Sequence, residues 1–415
     1  MTMNADVSRT VDPRRHPDPA LIDRIRAAYP VEAEIDRILT RKMQRRGVGS
    51  FRMPSLEELV AGTKELIEQR LGYEVTIEEP RWLSGGASKL QVAFTLGWRG
   101  DRAESADRGA GERTPMVLRM ETTASVTESS RAREFEVLQL VQGIIPSPRP
   151  YWVDAEGEFL PCPALIYGFS SGVAKPSHDA DKVSGLGQNY GPDVRAKLAP
   201  QFVGLLAKLH AIPASSFGLL PSFEVPAVGS NASVIKQVNA ARRLWEEDRI
   251  EEEPLMELVY RWLIRNAPPL DHVSIVHGDY RSGNFLFDED KCEITSWLDW
   301  EGAVLGDRHQ DLTYATMPIF RHYAEDGRTV LVSGMVTEEQ LFEQYDRASV
   351  IGVDPARIRY FGIFNRYLIT VLLLACSARA AQTASTHQDV LLNHVSGMGY
   401  IALNDLLDVF RKATT

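Results

Sequence analysis

The sequence predicts an α+β protein in which a small, β-rich N-terminal lobe precedes a larger, mostly helical C-terminal lobe. Apolar and polar residues alternate as in strands over 73–83 and 90–98, and short apolar runs follow at 116–121 and 159–169. From about residue 190 onward, apolar residues recur at helical spacing almost everywhere except around 275–287. A chain of 415 residues is too long for one ordinary core, which agrees with two lobes.

Three segments follow from these patterns. Residues 1–70 contain three amphipathic helical patterns, which indicate an N-terminal helical extension. Residues 71–168 carry the strands and one helix of the N-terminal lobe. Residues 169–415 form the helical C-terminal lobe.

Composition excludes several protein classes. The 46 Lys and Arg residues against 56 Asp and Glu residues give a formal charge of −10, which argues against a nucleic-acid partner. Cys162, Cys292 and Cys376 lie far apart without paired spacing, so we expect no disulfide framework or zinc site and a cytoplasmic location. The N-terminus lacks the apolar core of a signal peptide. The most apolar run, 367–378, is shorter than the roughly 20 residues that cross a bilayer, so we interpret it as a buried helix and expect no membrane partner.

A polar loop interrupts two apolar runs in IVHGDYRSGNFLF, residues 275–287. A simple polar turn capped by His277 is one interpretation. However, Asn284 follows Asp279 by five residues, and Asp299 follows Asp279 by twenty in SWLDWEG. A carboxamide and a carboxylate are hard oxygen ligands that suit Mg²⁺, and a further carboxylate can orient or deprotonate an attacking hydroxyl. The loop therefore indicates a phosphoryl-transfer site.

These residues resemble the kinase-like phosphotransferases of the aminoglycoside phosphotransferase and choline kinase superfamily. The matching positions are His277, Gly278, Asp279, Asn284, Asp299 and Glu301, followed by GDRHQDL at 306–312, where Arg308 replaces the usual proline. The resemblance implies a bilobal protein-kinase-like fold, a nucleotide-binding N-terminal lobe, and ATP and Mg²⁺ as cofactors. It implies that Asp279 is the catalytic base, that Asn284 and Asp299 hold magnesium, and that Arg281 takes the place of a phosphate-facing lysine.

In the N-terminal lobe, the resemblance implies a phosphate loop, an anchoring cation and an acidic partner for that cation. The phosphate loop is assigned to Ser84, Gly85, Gly86, Ala87 and Ser88, although a glycine-rich turn without function is the alternative. Arg119 in MVLRME stands where a lysine is usual, unless it is a solvent-facing arginine on an edge strand. Its predicted partner is Glu134 rather than Glu136.

A hinge and a helical histidine complete the family-like segments. The hinge is ALIYGF, where Tyr167, Gly168 and Phe169 would hold adenine through their backbone and Gly168 replaces the usual acid. His210, in LLAKLHAIP, is interpreted as structural.

The predicted enzyme is a small-molecule kinase with a hydroxyl acceptor. The pattern is most similar to the branch associated with acyl-CoA dehydrogenases, which implies a hydroxyacyl-CoA or another apolar or anionic alcohol. An aminoglycoside phosphotransferase and a nucleotide-binding pseudokinase are the alternatives. A protein kinase is disfavoured because only twelve positions separate Asp299 from Asp311, which leaves little room for an activation loop. The sequence predicts no oligomeric state.

Charge in the C-terminal helices favours a neutral, apolar or anionic acceptor. Residues 355–388 contain no Asp or Glu but carry Arg357, Arg359, Arg366 and Arg379. If these arginines line the acceptor pocket, a polycationic acceptor would be repelled. The alternative is that they face solvent or pair with carboxylates elsewhere in the chain.

Overall fold

A computed structural model describes residues 12–46, 52–83, 89–98, 113–122, 127–179, 188–382 and 396–414. The first helices are α1 (Pro19–Ala28), α2 (Ala33–Gln44) and α3 (Leu56–Leu71). α3 begins with a capping box, in which Ser55 and Glu58 satisfy each other's backbone N–H groups, and it ends at Gly72 in the left-handed conformation.

The small lobe contains a five-stranded antiparallel sheet and one helix. Its strands are β1 (Thr76–Trp82), β2 (Leu90–Gly97), β3 (Arg113–Met120), β4 (Pro150–Asp154) and β5 (Ala164–Gly168). They lie in the order β1-β2-β3-β5-β4, so β3 is the central strand. Helix α4 (Arg131–Val141) connects β3 to β4 and is capped by the Ser130 hydroxyl.

The large lobe is mostly helical and, within the residues given above, contains three short antiparallel pairs of strands. In chain order it contains α5 (Gly191–His210), α6 (Ala232–Asp248), α7 (Pro254–Arg265), β6 (Ser274–Val276), β7 (Phe285–Asp288), β8 (Glu293–Trp297), β9 (Val304–Gly306), α8 (His309–Ala315), β10 (His322–Tyr323), β11 (Val330–Leu331), α9 (Glu338–Ala348), α10 (Pro355–Val371), α11 (Ala378–Gln382) and α12 (Gly399–Thr414). β6 pairs with β9, β7 pairs with β8, and β10 pairs with β11. The predicted bilobal α+β fold is confirmed.

The N-terminal helices pack against both lobes. Leu59, Leu66 and Ile67 of α3 belong to the same apolar core as the small-lobe sheet. In contrast, α2 lies against α6, where Lys42 and Arg46 both pair with the buried Asp248. α2 also contacts the small lobe, since Arg37 pairs with Glu156 at 2.7 Å, so in the described part of this segment α2 lies against both lobes.

The most apolar helix lies in the large-lobe core. A π-helical turn at Leu372–Ser377 joins α10 to α11, so that one helix runs over Pro355–Ala381. At 27 residues this helix is long enough to cross a bilayer, and the argument from the shortness of its apolar run was therefore wrong. Two thirds of its most apolar window (67%) is buried in the fold, as expected of a core helix.

Candidate active site

The buried Asp311 of α8 holds the loop between β6 and β7 through hydrogen bonds to the loop backbone. Its carboxylate accepts the backbone N–H of His277 at 2.7 Å and of Gly278 at 2.9 Å. The same carboxylate lies 3.1 Å from Nε2 of His210, whose pKa is lowered by burial. Gly278 has a φ of 83°, and a Cβ at this position would lie 2.3 Å from the carbonyl oxygen of Gly302. The loop thus has one tightly determined conformation, and His210 supports it from inside the core.

This loop presents Asp279 with both carboxylate oxygens engaged. Oδ1 accepts from Arg281 Nε at 2.9 Å, and Oδ2 accepts from Asn284 Nδ2 at 2.6 Å. Burial raises the pKa of the Tyr314 hydroxyl well above its ordinary value, and the negative charge of Asp279 raises it further. Because the Asp279 side chain is still 24% exposed, an incoming hydroxyl can reach it. The guanidinium of Arg281 lies over the Phe320 ring, 5.0 Å from its centroid, which fixes the arginine on one side of the carboxylate.

Asn284 and Asp299 lie beside each other. The backbone N–H of Leu298 donates to the Asn284 carbonyl at 2.7 Å, so Asp299 follows directly after a residue paired with Asn284. Asp299 itself has a φ of 66°, a left-handed conformation that is uncommon outside glycine and that turns the chain at this point. Burial would lower the pKa of Arg281, but the Asp279 carboxylate, and to a smaller extent Asp299, raise it above its usual value. The Asn284 side chain donates to Asp279 while its backbone accepts from Leu298, so Asn284 links the base to the Asp299 turn.

The donor set fits magnesium. In the described part of the chain, no three His, Cys, Asp or Glu side chains converge into an all-protein metal cage. Magnesium does not need one, because it keeps several waters and phosphate oxygens among its ligands. The Asn284 amide nitrogen already donates to Asp279, so the carbonyl oxygen Oδ1 is the atom left to face a cation. Together with the Asp299 carboxylate, this gives two hard oxygen donors.

Arg119 is buried on the central strand β3 and contacts three carboxylates. Its Nη1 lies 3.4 Å from Glu134 Oε1, its Nη2 donates to Asp299 Oδ1, and its Nη2 lies 3.5 Å from Glu301 Oε1. Burial would lower the pKa of Arg119, but these carboxylates raise it well above its usual value. Glu136 instead accepts from Ser222. The solvent-facing alternative for Arg119 is therefore wrong.

A second group of buried charges adjoins Arg119 and was missed by the sequence analysis. Lys89 Nζ lies 2.8 Å from Glu121 and 3.1 Å from Glu301, and Arg131 Nη2 lies 3.2 Å from Glu121 and 2.8 Å from Glu301. The Ser129 hydroxyl donates to Glu301 at 2.7 Å. The available signals were weak: Arg131 stands three residues before Glu134 on a helix, and Lys89 directly follows the glycine-rich loop.

The predicted hinge is only partly available for a ligand. The N–H of Gly168 donates to the Arg149 carbonyl at 2.8 Å, and the N–H of Phe169 donates to the Pro115 carbonyl at 2.9 Å. Both N–H donors are thus used within the small lobe, and the assignment of 167–169 as the adenine-binding hinge stays a prediction. Tyr167 is buried, and burial raises its pKa to about 12.

The predicted phosphate loop, Ser84, Gly85, Gly86, Ala87 and Ser88, lies outside the described residues. The strands on either side of it are described. β1 and β2 pair antiparallel, with Trp82 opposite Val92, so the loop joins neighbouring strands.

The arginines of the C-terminal helices do not form a cationic wall. Three of them pair with carboxylates of distant segments: Arg357 with Asp307, Arg366 with Asp405, and Arg379 with Asp12. The fourth, Arg359, is exposed. The inference of acceptor charge from these residues is therefore wrong, and the alternative of pairing and solvent exposure is confirmed.

Arg308, where the resemblance implies a proline, holds two segments of the large lobe together. Its two terminal nitrogens form a bidentate ion pair with Asp271 at 2.9 Å each. It also donates to the Ile351 and Gly352 carbonyls at 2.7 and 2.8 Å. Arg308 thus ties the segment before α8 to the turn before α10.

Comparison with known proteins agrees with this geometry. Residues 92–349 match the phosphotransferase enzyme family. Acyl-CoA dehydrogenase family member 10 of Mus musculus is 24% identical over 242 residues, which cover 55% of this chain and 21% of that protein. An aminoglycoside 3'-phosphotransferase of Niallia circulans is 25% identical over 285 residues, which cover 66% of this chain and 91% of that protein. The chain therefore spans about a fifth of the length of the dehydrogenase relative.

A solved structure supports the fold. The crystal structure of a putative aminoglycoside phosphotransferase from Ralstonia eutropha JMP134 superposes with a TM-score of 0.57 at 18% identity, covering 85% of this chain and 98% of that one. At this identity the likeness concerns the fold. Together with the family match over more than half of the sequence, it leads to one conclusion: the chain belongs to the phosphotransferase enzyme family, and the predicted fold and enzyme class are confirmed.

Proposed function

We propose that this protein transfers the γ-phosphoryl group of ATP to a hydroxyl group of a small molecule. The observation that carries the proposal is the position of Asp279. This carboxylate is partly exposed and is oriented by Arg281 and Asn284. Asn284 also accepts the backbone N–H of Leu298, the residue before Asp299, and so links the base to the Asp299 turn. A positioned carboxylate beside hard oxygen donors is what phosphoryl transfer to an alcohol requires, because most of the catalysis is positioning and charge stabilisation.

Each residue then has a distinct task. Asp279 orients the acceptor hydroxyl and accepts its proton through one carboxylate oxygen. Asn284 and Asp299 would hold magnesium, which would supply positive charge to stabilise the transferred group. Arg281 contributes a positive charge next to the base.

Arg119 has a conditional role. Its guanidinium already contacts Glu134, Asp299 and Glu301, so it can face a phosphate only if one of these contacts is exchanged. Asp299 is the partner most open to exchange, since its side chain is 32% exposed while that of Glu134 is 2% exposed. If Asp299 held the metal, one edge of the Arg119 guanidinium would be available to the nucleotide.

A hydroxyacyl-CoA or a related apolar or anionic alcohol is the proposed acceptor. The support is the similarity to acyl-CoA dehydrogenase family members, among them a probable acyl-CoA dehydrogenase of Arabidopsis thaliana that is 23% identical over 325 residues, 70% of this chain and 37% of that protein. An aminoglycoside is the second candidate, supported by the match over 91% of the Niallia circulans enzyme. A pseudokinase without turnover is disfavoured, because Asp279, Asn284 and Asp299 are all present.

A panel assay tests both parts of the proposal. ATP consumption is measured with hydroxyacyl-CoAs of several chain lengths, small hydroxy acids and kanamycin-type aminoglycosides, and Asp279→Asn serves as the inactive control. Acceptor-dependent turnover with a hydroxyacyl-CoA, lost in the control, is expected. Turnover confined to aminoglycosides would overturn the acceptor assignment, and nucleotide binding without turnover on any acceptor would support the pseudokinase instead.

A further inference from the structure

The Glu301 carboxylate contacts three cationic side chains and one hydroxyl group in a largely buried site. Arg131 Nη2 lies 2.8 Å, Lys89 Nζ 3.1 Å and the Ser129 hydroxyl 2.7 Å from Oε2, while Arg119 Nη2 lies 3.5 Å from Oε1. The side chain of Glu301 is 17% exposed, and those of Arg131 and Lys89 are at most 1% exposed. Three cations and one hydroxyl donor therefore surround this carboxylate.

All four donors come from the small lobe, whereas Glu301 belongs to the large lobe. Lys89 directly precedes β2, Arg119 lies on β3, and Ser129 and Arg131 stand at the beginning of α4. Glu301 lies in the single helical turn Trp300–Gly302 that follows Asp299. These contacts therefore join the two lobes at the turn that contains Asp299, the proposed metal ligand.

The cations are anchored independently on their own side. Glu121 contacts Lys89 at 2.8 Å and Arg131 at 3.2 Å, and Glu134 pairs with Arg131. Without Glu301, these cations would still have carboxylate partners within the small lobe. Loss of Glu301 should thus release the large-lobe turn while the small lobe keeps its internal ion pairs.

We infer that Glu301 is a positioning residue that fixes the Asp299 turn of the large lobe against the cation cluster of the small lobe. The inference rests on the proposed function for its catalytic consequence, since the fixed distance is the one between Arg119 and Asp299. Glu301 is then not a metal ligand, because both of its oxygens already face cations or a hydroxyl donor of the small lobe. Its effect on turnover passes through nucleotide binding rather than through the reacting atoms.

Amide hydrogen exchange of the Glu301→Gln variant tests the positioning role without any acceptor substrate. The amide keeps the shape but removes the charge and presents a donor to the cations. Exchange in 298–303 should become at least about tenfold faster, since a hydrogen bond to a charged group is worth one to two powers of ten in an equilibrium constant. Exchange in α7, which is remote from this contact, should not change. Glu247→Gln, which breaks a buried ion pair with Arg243 inside the large lobe, is the matched control and should leave 298–303 unchanged.

A double-mutant cycle with Arg131→Met separates positioning from other roles. Because the two residues touch, their effects on ADP affinity, measured without magnesium, should be non-additive by at least about fivefold. Glu301→Asp should restore part of the loss, because the charge is retained one methylene shorter. With magnesium and ATP, KM should rise more than kcat falls.

Three results would overturn the inference. If Glu301→Gln leaves hydrogen exchange in 298–303 unchanged, then Glu301 does not hold this turn against the small lobe. If its effect on ADP affinity is additive with that of Arg131→Met, then the two residues are not coupled. Loss of only the magnesium-dependent part of ADP affinity would make Glu301 a metal ligand instead. If no acceptor is ever phosphorylated while exchange and coupling behave as expected, the proposed function fails and the positioning role stands.

Discussion

Arg119→Ala removes the guanidinium that contacts Glu134, Asp299 and Glu301 at the centre of the small-lobe sheet. Breaking a buried ion pair from one side usually costs about 3–5 kcal/mol, because an uncompensated charge is left behind. Here Glu134 and Glu301 keep Arg131 as a partner, and Asp299 is 32% exposed to water. We therefore expect a loss at the lower end, about 3 kcal/mol in the free energy of unfolding.

Nucleotide affinity should respond differently from stability. The affinity for the magnesium complex of a non-hydrolysable ATP analogue should fall at least about tenfold in Arg119→Ala, because a charged hydrogen-bond donor near the phosphates is lost. Arg119→Lys keeps the charge but cannot form the planar fork, so it should recover part of the stability and bring affinity to within a few-fold of the original.

Urea unfolding followed by tryptophan fluorescence measures the free energy of unfolding. Titration calorimetry, without denaturant and at a temperature at which each variant is folded, measures the nucleotide affinity. Arg26→Ala is the control, since Arg26 is a 41% exposed arginine that pairs with Asp23 and Asp36. Its loss should cost less than about 1 kcal/mol. If Arg119→Ala costs no more than this control and leaves nucleotide affinity intact, then the three-carboxylate contact does not anchor the site and the reasoning fails.

Three further predictions concern single carboxylates. Asp279→Asn should reduce turnover by roughly two to four powers of ten while nucleotide affinity, measured by calorimetry, stays within a few-fold; near-normal turnover would exclude this residue as the base. Asp299→Ala should abolish the difference between nucleotide affinities measured with and without magnesium, and an unchanged difference would exclude it as a ligand. Burial would raise the pKa of Asp248, but Lys42 and Arg46 lower it to about 2, so its stabilising contribution is present above its ordinary pKa and is lost as the pH falls from about 4 to 2. Asp248→Asn should therefore destabilise the protein at pH 7, and the difference should shrink in acid unfolding curves below about pH 3; a constant difference would contradict the shift.

The sequence predicted the parts of the site that lie close together along the chain. Asp279, Asn284 and Asp299 belong to one strand–loop–strand segment, so their proximity follows from local spacing. The family resemblance favoured Glu134 over Glu136, and Glu134 indeed lies on the helix face that points toward Arg119.

Contacts between remote segments could not be read from the sequence. Nothing in the local pattern joins Lys89 to Glu301, and nothing pairs Arg379 with Asp12, because both depend on how the lobes and helices pack. The error about the C-terminal arginines has the same cause: a cation without an acidic neighbour along the chain can have one in space. The use of the Gly168 and Phe169 backbone N–H groups within the small lobe could not be predicted either, because residue types do not reveal which backbone groups pair.

The attachment of α2 to α6 has a practical consequence for anyone preparing a shortened protein. The family match begins at residue 92, which would suggest discarding everything before it. Such a fragment would lose Lys42 and Arg46, leaving Asp248 as a buried anion without these two cations, and it would strip α3 from beneath the sheet. A shortened protein should therefore retain the segment from α2 onward.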